Sequence, residues 1–158
     1  MGGPVKLIAP GFSSDFQVKN LAEVKVGLWT FSISGKVSTP LTVSSENLTD
    51  FQEETVHAEF VPSDGKRTSD WTGLSVLNLL ESANASSRAS KITIVAIDGY
   101  TKNYTLTEVR ESNMLVGYAE NGNHLGQSQG GPYRLFTPED KYKWAQFWVK
   151  FVKEIVVY

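Results

Sequence analysis

The feature that most constrains this chain is a series of short apolar/polar alternations, each broken by glycine, proline or asparagine. The clearest runs from Lys91 to Ile97, carries Ile92 and Ile94 on one face, and stops at Asp98-Gly99. A period of two sends successive side chains to opposite faces of a sheet, so the run is a half-buried strand. Val26 to Ser34 alternates in the same way, with Trp29, Phe31 and Ile33 on one face. Val56, Ala58 and Phe60 alternate with His57, Glu59 and Val61, and Met114 to Glu120 is a further strand. Asn121-Gly122 after it is the residue pair that a tight two-residue hairpin turn favours. Tyr104 to Leu106 and Tyr133 to Phe136 extend briefly.

Helical signals are shorter. Gly73-Leu74-Ser75 opens a helix with Leu74, Leu77 and Leu80 on one side. Ser44 or Ser45 is placed to cap a short helix through Phe51, and Thr107 to cap another. Pro62 to Asp70 is polar and reads as a loop, as does the Gly/Gln-rich run Gly126 to Pro132. The last segment carries two periods. Trp144, Phe147, Trp148, Phe151, Val152 and Ile155 have helical spacing, whereas Glu154 to Tyr158 has the β-branched residues of a strand. Helix or turn followed by strand is the expected order. Strands interleaved with short helices, without a βαβ rhythm, predict an α+β fold with a mixed β-sheet. Trp29, Phe31, Ile92, Ile94 and Leu77 are the expected buried residues.

Residues 1–25 read as an irregular lead-in rich in Gly, Pro and Ser, and 26–158 as a single domain large enough to bury a core. The chain contains no cysteine, which removes disulfides, thiolate metal sites, Fe–S clusters and cysteine nucleophiles. A formal net charge of -2 and scattered basic residues argue against nucleic acid as a partner. No apolar run approaches the roughly 20 residues of a membrane span. The opening Met1-Gly2-Gly3-Pro4 lacks the features of a signal peptide, while Asn-x-Ser/Thr sites at Asn47, Asn84 and Asn103 lean toward an exported or cell-surface protein.

Few residues carry chemistry by themselves. His57 and His124 are the only histidines; neither has a second histidine at helical metal-ligand spacing, and both read as surface residues. No Gly-x-Ser-x-Gly elbow supports a hydrolase. Gly130-Gly131-Pro132 is a turn on composition alone, but it also brings backbone close to an anion ahead of Arg134, whose guanidinium offers paired donors. Asp98 ordinarily stabilises its own turn, and an outward Lys150 on the final element needs no partner.

Three blocks, in order, resemble the molybdopterin-binding domain of sulfite-oxidase-type oxidoreductases. They are Asp70-Trp71-Thr72-Gly73-Leu74-Ser75-Val76-Leu77-Asn78-Leu79-Leu80-Glu81, then Ala96-Ile97-Asp98-Gly99-Tyr100, then Asn121-Gly122-Asn123-His124-Leu125 with Gly130-Gly131-Pro132-Tyr133-Arg134-Leu135 and Trp148-Val149-Lys150. The resemblance spans roughly Leu28 to Val157. It implies a mixed-sheet fold with a loop-lined cleft for molybdopterin. Within it, Arg134 matches an arginine that helps hold the cofactor phosphate, Lys150 matches a lysine that faces the cofactor, and Asp98 falls on a pocket-lining Asp-Gly turn. Gly130 and Gly131 complete the implied cofactor-binding set.

The departures from the pattern are equally specific. The family's molybdenum-ligating cysteine ends the strand aligned with Val56 to Val61, where this chain reads Glu59-Phe60-Val61-Pro62. Gln129 stands where a histidine is usual, and Pro138-Glu139-Asp140-Lys141 replaces a Pro-Gly turn. Neither Phe60 nor Val61 can replace a thiolate, so no molybdenum and no catalytic residue are expected. The leading expectation is a non-redox protein whose cleft accepts a pterin-like or other anionic small molecule. The alternatives are a molybdenum-dependent oxidoreductase that holds its cofactor without a protein thiolate, and a structural or interaction module.

Overall fold

Residues 29–158 are described by the computed structural model; the lead-in and Val26 to Leu28 of the first expected strand lie outside the described residues. In chain order the elements are β1 (Thr30–Gly35), β2 (Leu41–Ser44), β3 (Glu53–Phe60), β4 (Arg67–Ser75), α1 (Val76–Ser82), β5 (Lys91–Ala96), β6 (Thr101–Thr105), α2 (Leu106–Glu111), β7 (Leu115–Glu120), β8 (Asn123–His124), β9 (Arg134–Phe136) and β10 (Val152–Val157). They form two sheets. One has the order β2-β1-β10-β5-β6; the other runs β3-β4-β7-β8, with β9 also paired to β7. The β1–β10 pair is parallel and its neighbours are antiparallel, so the fold is the α+β arrangement with a mixed sheet that the alternation predicts.

Alternation in the first sheet does what its period requires. Phe31 and Ile33 of β1, Ile92, Ile94 and Ala96 of β5, and Ile155 and Val157 of β10 are buried together with Val76, Leu79 and Leu80 of α1 and Val109 of α2. Each such side chain contributes roughly 1.5–3 kcal/mol by leaving water. The helices that close this core are short and depend on their caps. Ser75 accepts the Asn78 N–H at the start of α1. Thr105 and Glu108 form a reciprocal capping box at the start of α2, with bonds of 2.7 and 3.1 Å. The cap is thus Thr105 and not Thr107, because only Thr105 has a glutamate three residues ahead.

Other expectations are corrected. Trp29 is 58% exposed, since it precedes β1 and has no strand partner, and Leu77 is half-buried because α1 turns Val76, Leu79 and Leu80 inward. Leu74 is buried as part of β4, not of the helix. Ser44 ends β2, and only a 3-10 turn, Leu48–Asp50, follows before β3, with no side-chain cap. The expected Pro62–Asp70 loop ends at Pro62–Lys66, because β4 already begins at Arg67. The helical spacing through Ile155 resolves into a 3-10 turn at Ala145–Phe147 and the strand β10. A register shift between Val152 and Glu154 brings Val152 and Ile155 to the same side, so a β-bulge produces the i, i+3 spacing that mimics a helix. Asn121-Gly122 does form the β7–β8 turn, with φ of 49° and 77° at the two residues, the left-handed pair that this turn demands.

A second, smaller core lies on the other sheet and is mostly aromatic. Phe60, Trp71, Phe136 and Trp148 pack with Ala58, Leu115 and Leu125. None of the described helices is long and apolar enough to cross a membrane.

Candidate anion-binding cleft

Against this aromatic core opens a cleft of about 660 Å3. Its floor comes from a period-two face of β4 and its neighbours. Arg67, Ser69 and Trp71 point the same way from β4, and the register sets Arg67 beside Phe60 of β3 and Trp71 beside Glu120 of β7. Gln129 and Arg134 supply one wall, Trp148, Lys150 and Phe151 another, and Asp98 and Tyr100 part of the rim.

Arg134 is the centre of this arrangement. It is only 6% exposed, and its guanidinium carbon lies 4.6, 5.3 and 5.7 Å from the ring centroids of Phe60, Trp148 and Trp71. Nη1 donates to the Gln129 carbonyl at 3.0 Å, whereas Nε is buried without a partner. Trp71 Nε1 is the other buried side-chain donor left without an acceptor among the described residues. Burial brings the Arg134 pKa down to about 10; the Glu120 charge opposes this and the Arg67 charge adds to it. The side chain stays cationic at neutral pH, in a place where a charge without a counter-charge is costly.

Glu120 lines the same cleft but does not pair with Arg134. One of its oxygens accepts from Ser69 Oγ at 2.6 Å and the other from Gln129 Nε2 at 2.9 Å. Gln129 is itself fixed, its Oε1 accepting the Gly126 N–H at 3.0 Å. One residue therefore tethers the carboxylate by its side chain and the guanidinium by its carbonyl.

The residues singled out from sequence fall in distinct places. Lys150 lines the cleft with an exposed side chain and makes no ion pair among the described residues. Gly130, at φ +84°, lies under the Lys150 stem, where a Cβ would collide with it. The Gly130 N–H donates to the Gln127 carbonyl and the Gly131 N–H to the Gly126 carbonyl, both at 3.0 Å. Both donors are thus used inside the turn, and the glycines supply room for Lys150 and close packing. Asp98 lines the cleft and also accepts the Tyr100 N–H at 3.0 Å, stabilising its own turn. Gly131 and Pro132 line an adjoining, more apolar cleft of about 570 Å3 that shares Asp98 and Phe151 with the first.

Away from the cleft, His57 pairs with Asp70 at 2.6 Å on an exposed face, and exposed His124 stacks on Tyr118. Among the described residues no group of three or more His, Asp or Glu side chains is placed to hold a metal. Sequence reading misses Arg67, Trp71, Glu120 and Trp148 as cleft residues. The period-two run Arg67, Ser69, Trp71 is the signal that would have placed Arg67 and Trp71 on one face.

Comparison with known proteins extends this picture. A family model described as oxidoreductase molybdopterin binding domain matches residues 23–158. An uncharacterized oxidoreductase, YuiH, of Bacillus subtilis (strain 168) is 25% identical over 133 residues, which cover 80% of this chain and 66% of that protein. The crystal structure of the sulfane dehydrogenase SoxCD from Paracoccus pantotrophus superposes with a TM-score of 0.73 at 18% identity, over 85% of this chain and 40% of the SoxCD chain. The chain thus spans just under two thirds of one relative and well under half of the other.

Proposed function

Because the chain belongs to the oxidoreductase molybdopterin binding domain family, we propose that its cleft binds a pterin-like or other anionic small molecule without redox catalysis. The observation that carries this reading is Arg134. A guanidinium buried among three aromatic rings, with an N–H unmet and no carboxylate paired to it, is an unfinished interaction that an anion completes. Lys150 adds a second cation at the rim, on a stem that Gly130 allows to lie close. A cleft of about 660 Å3 is of the size that holds a drug-sized ligand, and its aromatic lining suits a flat heterocycle.

The donor set fits the ring and phosphate of molybdopterin and does not fit its metal. Arg134, Lys150 and the aromatic walls would hold the organic part. At the end of β3, where a thiolate would be needed, Phe60 packs on Trp148 with ring centroids 4.3 Å apart and lies over Arg134. The chain has no cysteine to take its place. Ser63 and Asp64 lie beyond Pro62 in a loop, and Asp64 is already paired with Arg67 at 2.7 Å.

Titration calorimetry with a 6-substituted pteridine monophosphate tests the reading. Binding at neutral pH that falls tenfold or more in Arg134→Met is expected, since a charge-assisted contact is worth roughly 1.5–3 kcal/mol. Metal analysis of protein purified from a cofactor-producing host should find no stoichiometric molybdenum. Close to one molybdenum per chain would overturn the non-redox reading and favour an oxidoreductase without a protein thiolate.

A further inference from the structure

We propose that Glu120 determines ligand specificity in this cleft, by accepting the N–H edge of a 2-amino-4-oxo pyrimidine ring while Arg134 holds the anionic end. The assignment rests on the reading that the cleft takes an anionic pteridine, and it adds which ring system is chosen. A carboxylate and a guanidinium lining one partly buried cleft attract each other strongly, and unless restrained they would close into a salt bridge. Here neither takes part in an ion pair among the described residues. Gln129 keeps them apart, its side chain on Glu120 at 2.9 Å and its carbonyl on Arg134 at 3.0 Å. Ser69 fixes the second Glu120 oxygen at 2.6 Å.

Held in this way, Glu120 has one tethering donor on each oxygen and lone-pair capacity left on both. It stands beside Trp71, its register partner across β4 and β7, so carboxylate and indole share the cleft face. The matching ligand edge carries two adjacent N–H donors, and the 2-amino group with N3–H of a 2-amino-4-oxo pyrimidine is such a fork. It meets a carboxylate as a guanidinium does, through two parallel bonds. A 2,4-dioxo ring keeps the shape but sets a carbonyl oxygen against the carboxylate, so the site selects against it as well as for its counterpart.

The test compares two probes on the folded protein, a 2-amino-4-oxo pteridine monophosphate and its 2,4-dioxo analogue, by fluorescence titration. The 2-amino compound is expected to bind roughly tenfold or more tightly, in line with the penalty for leaving a buried acceptor unmet. In Glu120→Gln an NH2 group with two donors replaces one acceptor oxygen, and the ratio between the probes should fall below about threefold. Equal binding of the two probes to the unaltered protein would overturn the Glu120 assignment while the anion-binding reading stands. A preference that survives in Glu120→Gln would overturn it too. If neither phosphate binds, the reading of the cleft fails and the assignment falls with it.

Discussion

The two buried clusters of this protein differ in what they leave unmet. The larger is mainly aliphatic and joins the β2-β1-β10-β5-β6 sheet to Leu74, Val116 and Leu135 of the second sheet, and the buried Tyr104 hydroxyl within it donates to the Phe147 carbonyl at 2.7 Å. The smaller one is mostly aromatic and surrounds a charge, and both buried side-chain donors without acceptors among the described residues, Arg134 Nε and Trp71 Nε1, belong to it. Native interiors normally satisfy their polar groups, so a concentration of exceptions in one place marks a site kept open for something else. The difference divides the labour: the larger cluster supplies stability, and the smaller spends some of it on a cleft.

The largest effect that tests this division is in the aliphatic cluster. Ile33→Ala or Ile155→Ala removes a fully buried side chain and should cost about 3–4 kcal/mol by urea denaturation. Anion binding by the fraction that remains folded should be unchanged, because neither residue lines the cleft. A loss of binding without a loss of stability would break the comparison.

Arg134→Met is the counterpart in the aromatic cluster, with stability moving the other way. It should weaken anion binding tenfold or more yet raise stability by about 1–2 kcal/mol at neutral pH, as replacing buried charge by apolar volume often does. Cation–π contacts with three rings oppose the gain, while burial disfavours the charged form and lowers its pKa. The pH dependence has a definite sign. Above about 10, and below the higher ordinary arginine value, the unfolded chain holds a proton on Arg134 that the folded chain has lost, so the side chain's contribution to stability improves as pH rises through that window. Ligand affinity should fall over the same range as the cation disappears. Methionine at this position would remove both dependences.

Much of the first sheet was legible in the sequence, and little of the cleft was. Lys91–Ala96 is a strand where alternation put it, since one face meets an apolar core; Leu115–Glu120 of the second sheet is also a strand, buried on both faces with Val116 in the larger cluster and Leu115 in the smaller. The beginning of β4 defeats the same rule, because Arg67 lines a cleft and Ser69 is buried against Glu120 and not an apolar core, so that its inward face is polar and resembles a loop. The β10 bulge defeats it differently, by shifting the period from two to three within one strand. Arg134, Lys150 and Asp98 were visible through motif position. Glu120 and Trp71 were not, since their meeting depends on the β4–β7 register, which local sequence does not encode.

Gly130→Ala should have a smaller effect that reaches stability and binding together. At φ +84° an alanine is strained, and its Cβ would displace the Lys150 stem. About 1–2 kcal/mol of stability should be lost. Anion affinity should weaken a fewfold as the Lys150 ammonium moves. Loss of stability with affinity intact would remove Lys150 from the site and leave Arg134 as its one cation without an ion pair among the described residues.

The smallest expected effect separates the two faces of the second sheet. His57 and Asp70 are cross-strand partners 2.6 Å apart, with side chains 71% and 58% exposed. Asp70 precedes Trp71 in β4, so the pleat sends its side chain away from the cleft that Trp71 lines. An exposed pair of this kind contributes little, because water screens the attraction and two side chains must be ordered to make it. Asp70→Asn should therefore change stability by less than about 0.5 kcal/mol and leave pteridine affinity unaltered. If it instead alters the ratio between the 2-amino and 2,4-dioxo probes, the outer face is coupled through the strand to Trp71 and Glu120. The unmet groups would then be a property of the whole sheet rather than of its cleft side.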